Sequence, residues 1–174
     1  YGMLPYWGLP TDTAGVQNPF DREKMAAMIA FETGHQSFGN DTYWGGKSLT
    51  QMALNMMMAR EMNDSTNFVT CRDKLRTALV NWLTYTPGEE SMFFARYDRW
   101  GGLVGYNTSY DSDTFNDHHF HYGYFVMASA LLALVDKDFR DHYGQMARLL
   151  AKDYANWDHD DTAYPFFRTL DPWA

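Results

Sequence analysis

Asn116-Asp117-His118-His119-Phe120-His121-Tyr122-Gly123-Tyr124 places one carboxylate, three imidazoles and three aromatic rings in nine residues, directly ahead of a long apolar run. That run predicts a helix over about His119 to Leu134, carrying almost no charge and therefore buried on most sides. The nine residues in front of it hold more titratable chemistry than packing requires. On the C-terminal side, Asp136 predicts the cap of a further helix from about Asp138 to Ala155, with Phe139, Tyr143, Met146, Leu149 and Leu150 facing inward.

On the N-terminal side, helical period is lost between Pro87 and Asn116, where glycines and aromatic rings accumulate. Met92 to Tyr97 and Gly101 to Tyr106 read as short strands of a hairpin or as a long structured loop. Loops of this length within a compact domain usually carry function. Further back, Asp21 predicts the start of a helix with Met25, Met28, Ile29 and Ala30 on one face and Gly34 closing its end. A second helix runs from about Gly46 to Met62, with Leu49, Met52, Ala53, Met56, Met57 and Arg60 spaced by three and four. Asp64 or Ser65 caps a third, striped by Phe68, Cys71, Leu75, Leu79 and Leu83. The first twenty residues, rich in Pro, Gly, Trp and Tyr, carry no such period and read as loop or short extended pieces. Five helices joined by alternately short and long connections make an all-α chain of stacked helical hairpins, interrupted by a hairpin-like insertion near 91–106. Periodicity alone does not distinguish a bundle from a toroid.

Composition narrows the partners. Fourteen basic against twenty-two acidic residues give a formal charge of −8, which repels phosphate backbones and anionic lipid surfaces, so neither nucleic acid nor membrane is expected as a partner. No uncharged run approaches the roughly 18 residues that span a bilayer. No basic start followed by an apolar stretch marks a signal peptide, although a chain beginning at Tyr1 leaves open a leader already removed. Carboxylates and flat rings suit an uncharged, hydroxyl-rich ligand. The single cysteine, Cys71, excludes an intrachain disulfide, and its place in an apolar stripe argues against a nucleophile. Nucleophile elbows, phosphate-binding glycine loops and dinucleotide fingerprints are absent from the sequence.

Three blocks taken together carry a resemblance. They are Tyr97-Asp98-Arg99-Trp100-Gly101-Gly102-Leu103-Val104-Gly105-Tyr106 with Ser109-Tyr110-Asp111-Ser112-Asp113-Thr114, then Asp117-His118-His119-Phe120-His121-Tyr122-Gly123-Tyr124, then Pro165-Phe166-Phe167-Arg168-Thr169-Leu170-Asp171-Pro172-Trp173-Ala174. In order and spacing they resemble glycoside hydrolase family 81, the endo-β-1,3-glucanases that cut laminarin-type glucans with inversion. Asp41-Thr42-Tyr43-Trp44-Gly45-Gly46-Lys47 extends the likeness more weakly. The resemblance implies an (α/α)6 barrel, a toroid of helical hairpins of which residues 1–174 form a part that is incomplete at the C-terminal side. It also implies a secreted, extracellular enzyme whose substrate is β-1,3-glucan of the laminarin or curdlan type. The remainder of the same catalytic domain would be the chain's other partner, and the isolated chain would be inactive because the base lies on a segment beyond it.

The family pattern makes Asp117 the general acid. An inverting hydrolase needs such an acid opposite a second carboxylate about 6.5–9.5 Å away, leaving space for the attacking water. The same carboxylate would also suit a plain helix cap. Were Asp117 the first helical residue, the helix dipole and free amides would favour its ionised form and oppose proton donation. The helix is therefore expected to begin a residue or more later, unless Asp111, Asp113 and a downstream glutamate outweigh the dipole.

Candidate substrate-binding residues are His119, His121, Trp100, Tyr106, Asp113 and Tyr122. Trp100 and Tyr106 lead because they lie in the irregular stretch, and Trp173 and Tyr110 belong to the same aromatic surroundings. At least one of the three histidines is expected to be a satisfied buried one. His118 and His121, spaced i, i+3, also fit a metal reading with Asp117 as an oxygen donor. Metal sites of that kind draw on further ligands for which no Cys or Glu pattern exists, so neither metal nor cofactor is expected. A glucan-binding module without hydrolytic activity and a metalloprotein built on the histidines remain the alternatives.

Overall fold

The computed structural model describes residues 14, 15, 17, 19 and 21–168. Most of the first twenty residues, expected as loop, and Trp173 lie outside that range. The regular elements of the described residues are five α-helices, one hairpin and a single 3-10 turn (Ser112–Thr114): α1 (Arg22–His35), α2 (Trp44–Glu61), α3 (Ser65–Leu83), β1 (Phe93–Tyr97), β2 (Gly102–Tyr106), α4 (His118–Ala133) and α5 (Lys137–Ala155).

Three helices start where a local aspartate dictates. Asp21, Asp64 and Asp136 each accept a hydrogen bond from the amide three residues on, at 3.0, 3.0 and 2.8 Å. Each satisfies a donor that the helix's own ladder leaves free. α2 begins two residues before the expected Gly46. Its cap comes from outside the helix, since Asp41 Oδ1 accepts the amides of Tyr43 and Trp44, both at 2.8 Å. α1 continues one residue past Gly34, and His35 Nδ1 donates back to the Phe31 carbonyl at 2.7 Å.

α2 lies centrally, against α3 on one side and α4 on another, and α4 packs in turn on α5. The three-residue connections Met62–Asp64 and Leu134–Asp136 fold α2 with α3, and α4 with α5, back on each other as helical hairpins. Leu49, Met52, Ala53 and Met56 of α2, Cys71, Leu75 and Leu79 of α3, Phe125 and Leu132 of α4 and Phe139 and Leu150 of α5 are all fully buried in one cluster. α4 departs from expectation. Phe120 remains about half exposed, and Ala130 and Ala133 open with Gly144 and Ala147 of α5 into a shallow groove of about 230 Å³. Its apolar composition therefore covers a wider face than the described helices bury.

The long connection from α3 to α4 carries the hairpin. β1 and β2 pair antiparallel, Phe93 opposite Tyr106 and Tyr97 opposite Gly102, and Gly101 turns the chain at φ +59°. Glycine is required in β2 by close approach. A Cβ on Gly105 would meet Thr42 Cγ2 at 2.4 Å, and one on Gly102 would meet Phe115 Cε1 at 2.5 Å. These two contacts press the hairpin against the start of α2 and against the segment leading to α4. Among the described residues no helix is long and apolar enough to cross a membrane.

Candidate active site

Asp117 is the residue immediately before α4, in the left-handed region at φ 55°, ψ 17°. For a residue other than glycine that conformation costs on the order of 1–3 kcal/mol and persists only where its surroundings enforce it. Its carbonyl accepts the amides of Phe120 and His121, both at 3.0 Å, so the backbone opens the helix normally. Its half-buried side chain takes no part in capping. The carboxylate thus makes no capping hydrogen bond to the free amides of α4, and the helix starts one residue after Asp117.

The three histidines divide. His118 is completely buried, with Nδ1 2.5 Å from Asp153 Oδ2 and Nε2 2.8 Å from the Ser112 carbonyl. His121 is also buried, with Nδ1 2.7 Å from Thr42 Oγ1 and its ring against Tyr43 and Tyr110. Burial pushes its imidazole below the ordinary value, although the Asp117 carboxylate pulls the other way. His119 is half-buried, and its Nδ1 is screened from water without a partner among the described residues. His118 and His121 thus hold different partners and do not converge on a shared ligand. Among the described residues no group of three His, Cys, Asp or Glu side chains could hold a metal ion.

Trp100, Tyr106 and Asp113 come together. With Tyr97, Val104 and Phe115 they line an open groove of about 440 Å³ beside the hairpin; Phe115 is two residues before Asp117 in sequence, and Asp117, His119 and His121 are not among the residues lining it. Trp100 is 64% exposed and lies 5.2 Å from the Phe115 ring, while Tyr97 and Tyr106 share a 2.6 Å hydroxyl contact. That bond, and to a lesser degree burial, raises the Tyr106 phenol, which remains a neutral donor or acceptor. A larger depression of about 660 Å³ lies between β1, α5 and Asp161–Tyr164. It contains none of the expected site residues, so the smaller groove with the aromatic wall is the better candidate.

Tyr122 departs from its expected contact with substrate. It is fully buried, accepting the Gly105 amide at 3.0 Å and donating to the Leu103 carbonyl at 3.2 Å. Its hydroxyl clamps β2 to α4 and has no exposed surface to offer a ligand.

Four residues around the site were given no role by the sequence reading, and three of them, Asp41, Thr42 and Arg168, lie in blocks that carry the resemblance. Asp153 of α5 is buried beneath it and is held by His118, by the Leu103 amide at 2.6 Å and by Arg168 at 2.8 Å. Arg168 also donates to the Asp153 carbonyl and covers the Phe115 ring at 5.2 Å. Thr42 positions His121, and Asp41 accepts the Ser109 hydroxyl at 3.1 Å, tying the start of α2 to the loop. Asp153 had a signal. It continues the stripe Phe139, Tyr143, Met146, Leu150 at helical spacing, and a carboxylate on an apolar stripe demands partners. Thr42 and Asp41 were marked only by the weaker block of the resemblance, which assigned them no role.

Residues 22–174 match the family model described as glycosyl hydrolase family 81 C-terminal domain. A glucan endo-1,3-beta-D-glucosidase of Acetivibrio thermocellus is 41% identical over 99% of the chain, and one of Thermobifida fusca 34% identical over all of it. The chain spans only 22% and 23% of those two relatives. Among solved structures, a glycoside hydrolase family 81 protein from Clostridium thermocellum, a Glu-to-Ala mutant, superposes with a TM-score of 0.80 at 38% identity. The match covers 88% of this chain and 22% of that one, and it is consistent with a segment of a helical toroid.

Proposed function

The chain belongs to glycoside hydrolase family 81, and on that premise we propose that it is part of a catalytic domain hydrolysing internal β-1,3-glucosidic bonds, with Asp117 as proton donor. The observation that carries the assignment is the left-handed turn at Asp117, which begins α4 without committing the carboxylate to its amides. A carboxyl so freed can give its proton to a leaving glycosidic oxygen. Inversion then needs a base about 6.5–9.5 Å across the scissile bond, activating water on the opposite face of the sugar. That base belongs to the rest of an (α/α)6 domain of which residues 1–174 are an incomplete part, and the isolated chain is expected to be inactive.

The groove supplies binding chemistry for laminarin- or curdlan-type glucan. The exposed Trp100 ring can cover the apolar face of a glucosyl unit, while Tyr106 and Asp113 can bond its hydroxyls. His119 is half-buried and its ring is the one of the three histidines not fixed by a hydrogen bond among the described residues, which leaves it the histidine most able to turn toward a sugar hydroxyl. His121, whose imidazole burial holds below its ordinary value, is fixed by Thr42 and lies within the influence of the Asp117 carboxylate. An enzyme of this kind works outside the cell, where such polymers occur.

The test is Asp117→Asn in the complete enzyme. Proton donation by a positioned group is worth about 10²–10⁴-fold in rate, and laminarin hydrolysis should fall by that order with folding intact. A glucosyl fluoride, whose leaving group needs little protonation, should be less impaired. Undiminished laminarin hydrolysis would exclude Asp117 as the acid.

A further inference from the structure

We propose that Asp153 is a positioning residue for catalysis, fixing through His118 the left-handed turn that aims Asp117; the proposal rests on the reading of Asp117 as the acid. Asp153 is fully buried, 35 residues from His118 in sequence, and on a different helix. Its two carboxylate oxygens are fully engaged. Oδ2 accepts from His118 Nδ1, and Oδ1 accepts from the Leu103 amide and from Arg168.

Each of those contacts reaches a different part of the site. His118 is the first residue of α4 and the next residue after Asp117, so holding its ring at both nitrogens holds the peptide that sets Asp117's φ and ψ. Leu103 lies in β2, next to Val104 in the groove wall. Arg168 covers the Phe115 ring, which forms another part of that wall. One carboxylate therefore locks the acid's backbone and the groove's wall in a common frame. Nothing in the helix itself would hold a left-handed Asp117, because no side-chain cap closes α4.

A buried carboxylate serving core stability alone would have no reason to affect proton donation selectively. A positioning residue would. Displacement of a reacting group by about 1 Å can cost about 10²-fold in rate even when the change lies away from the chemistry. Asp153→Asn keeps the shape but removes the charge and turns an NH₂ toward one of the carboxylate's partners, so the hold on the His118 ring or on Leu103 and Arg168 is weakened.

The experiment compares the complete enzyme with Asp117→Asn, Asp153→Asn and the double variant, on laminarin and on a β-glucosyl fluoride. Asp153→Asn is expected to lower kcat on laminarin by about 10²-fold, with a smaller loss on the fluoride. The double variant is expected to be no slower than Asp117→Asn alone, because a misplaced acid and an absent acid fail at the same step. Losses that multiply in the double variant, or equal losses on both substrates, would overturn the proposal. A normal rate for Asp117→Asn would instead defeat the reading of Asp117, and that arm is measured separately. If near-ultraviolet circular dichroism shows that Asp153→Asn does not fold, Arg168→Gln replaces it. Arg168 is partly exposed and touches the same carboxylate, and it is expected to give a smaller loss that also fails to multiply with Asp117→Asn.

Discussion

Replacing Tyr122 by Phe removes one oxygen atom from a completely buried position and leaves the ring volume almost unchanged. Little cavity follows, so the effect isolates the hydroxyl. That hydroxyl accepts the Gly105 amide at 3.0 Å, donates to the Leu103 carbonyl at 3.2 Å and lies 3.3 Å from His118 Nε2. Burial, reinforced by the Asp153 charge, pushes the phenol far up, so it stays a donor across the working range of pH. Phenylalanine strands the Gly105 amide, and a buried donor left unsatisfied costs about 1–3 kcal/mol. In a chain of this length each kcal/mol moves the melting temperature by about 2–4 °C, which gives a fall of roughly 2–12 °C. Thermal and urea unfolding of the two proteins measure it, with the urea midpoint falling and the slope unchanged. Amide exchange at Gly105 should accelerate as well. A change below about 0.5 kcal/mol, the level of an ordinary surface substitution, would refute the assignment of Tyr122 as a clamp on β2. Weaker glucan binding at full stability would return Tyr122 to the list of substrate contacts.

Trp100→Ala is expected to weaken laminarin binding by about 0.5–1.5 kcal/mol, roughly two- to tenfold, because the ring is mostly exposed over the groove. The unfolding midpoint should hardly move, and titration calorimetry showing unchanged affinity would remove Trp100 from the site. His121 predicts a pH effect. Its folded imidazole is held below the ordinary value of 6.5, so on acidification the unfolded chain takes up a proton before the folded one does. The stability present above that value is therefore lost as pH falls below it, and His121→Asn should flatten that part of the profile. Equal slopes for both proteins in urea titrations across this range would contradict the burial of His121.

The helices were legible because their causes are local. Asp21, Asp64 and Asp136 act over three residues, and the stripes of α2 and α3 repeat at the helical period. Where a cause was not local the boundary shifted, as at α2, whose cap is Asp41 in the preceding loop. The roles within the motif followed a different rule. His118, Tyr122, Phe125 and Leu132 are spaced at helical intervals and all fully buried, so Tyr122 belongs to the packed face of α4 despite its polar tip. His119 falls off that face and keeps an unpartnered nitrogen.

Reading those residues by chemical type marks Tyr122 as a ligand contact, while reading them by period marks it as core, and the period prevails because burial follows from the face. The same reasoning applies to α5. Asp153 continues the stripe of Phe139 and Leu150, and an inward carboxylate must find cations or donors because an isolated buried charge is prohibitively costly. An inward histidine on α4 and an inward aspartate on α5, two helices in hairpin contact, are each other's nearest solution to that cost. Their pairing holds the ring of the first residue of α4, next to the left-handed Asp117.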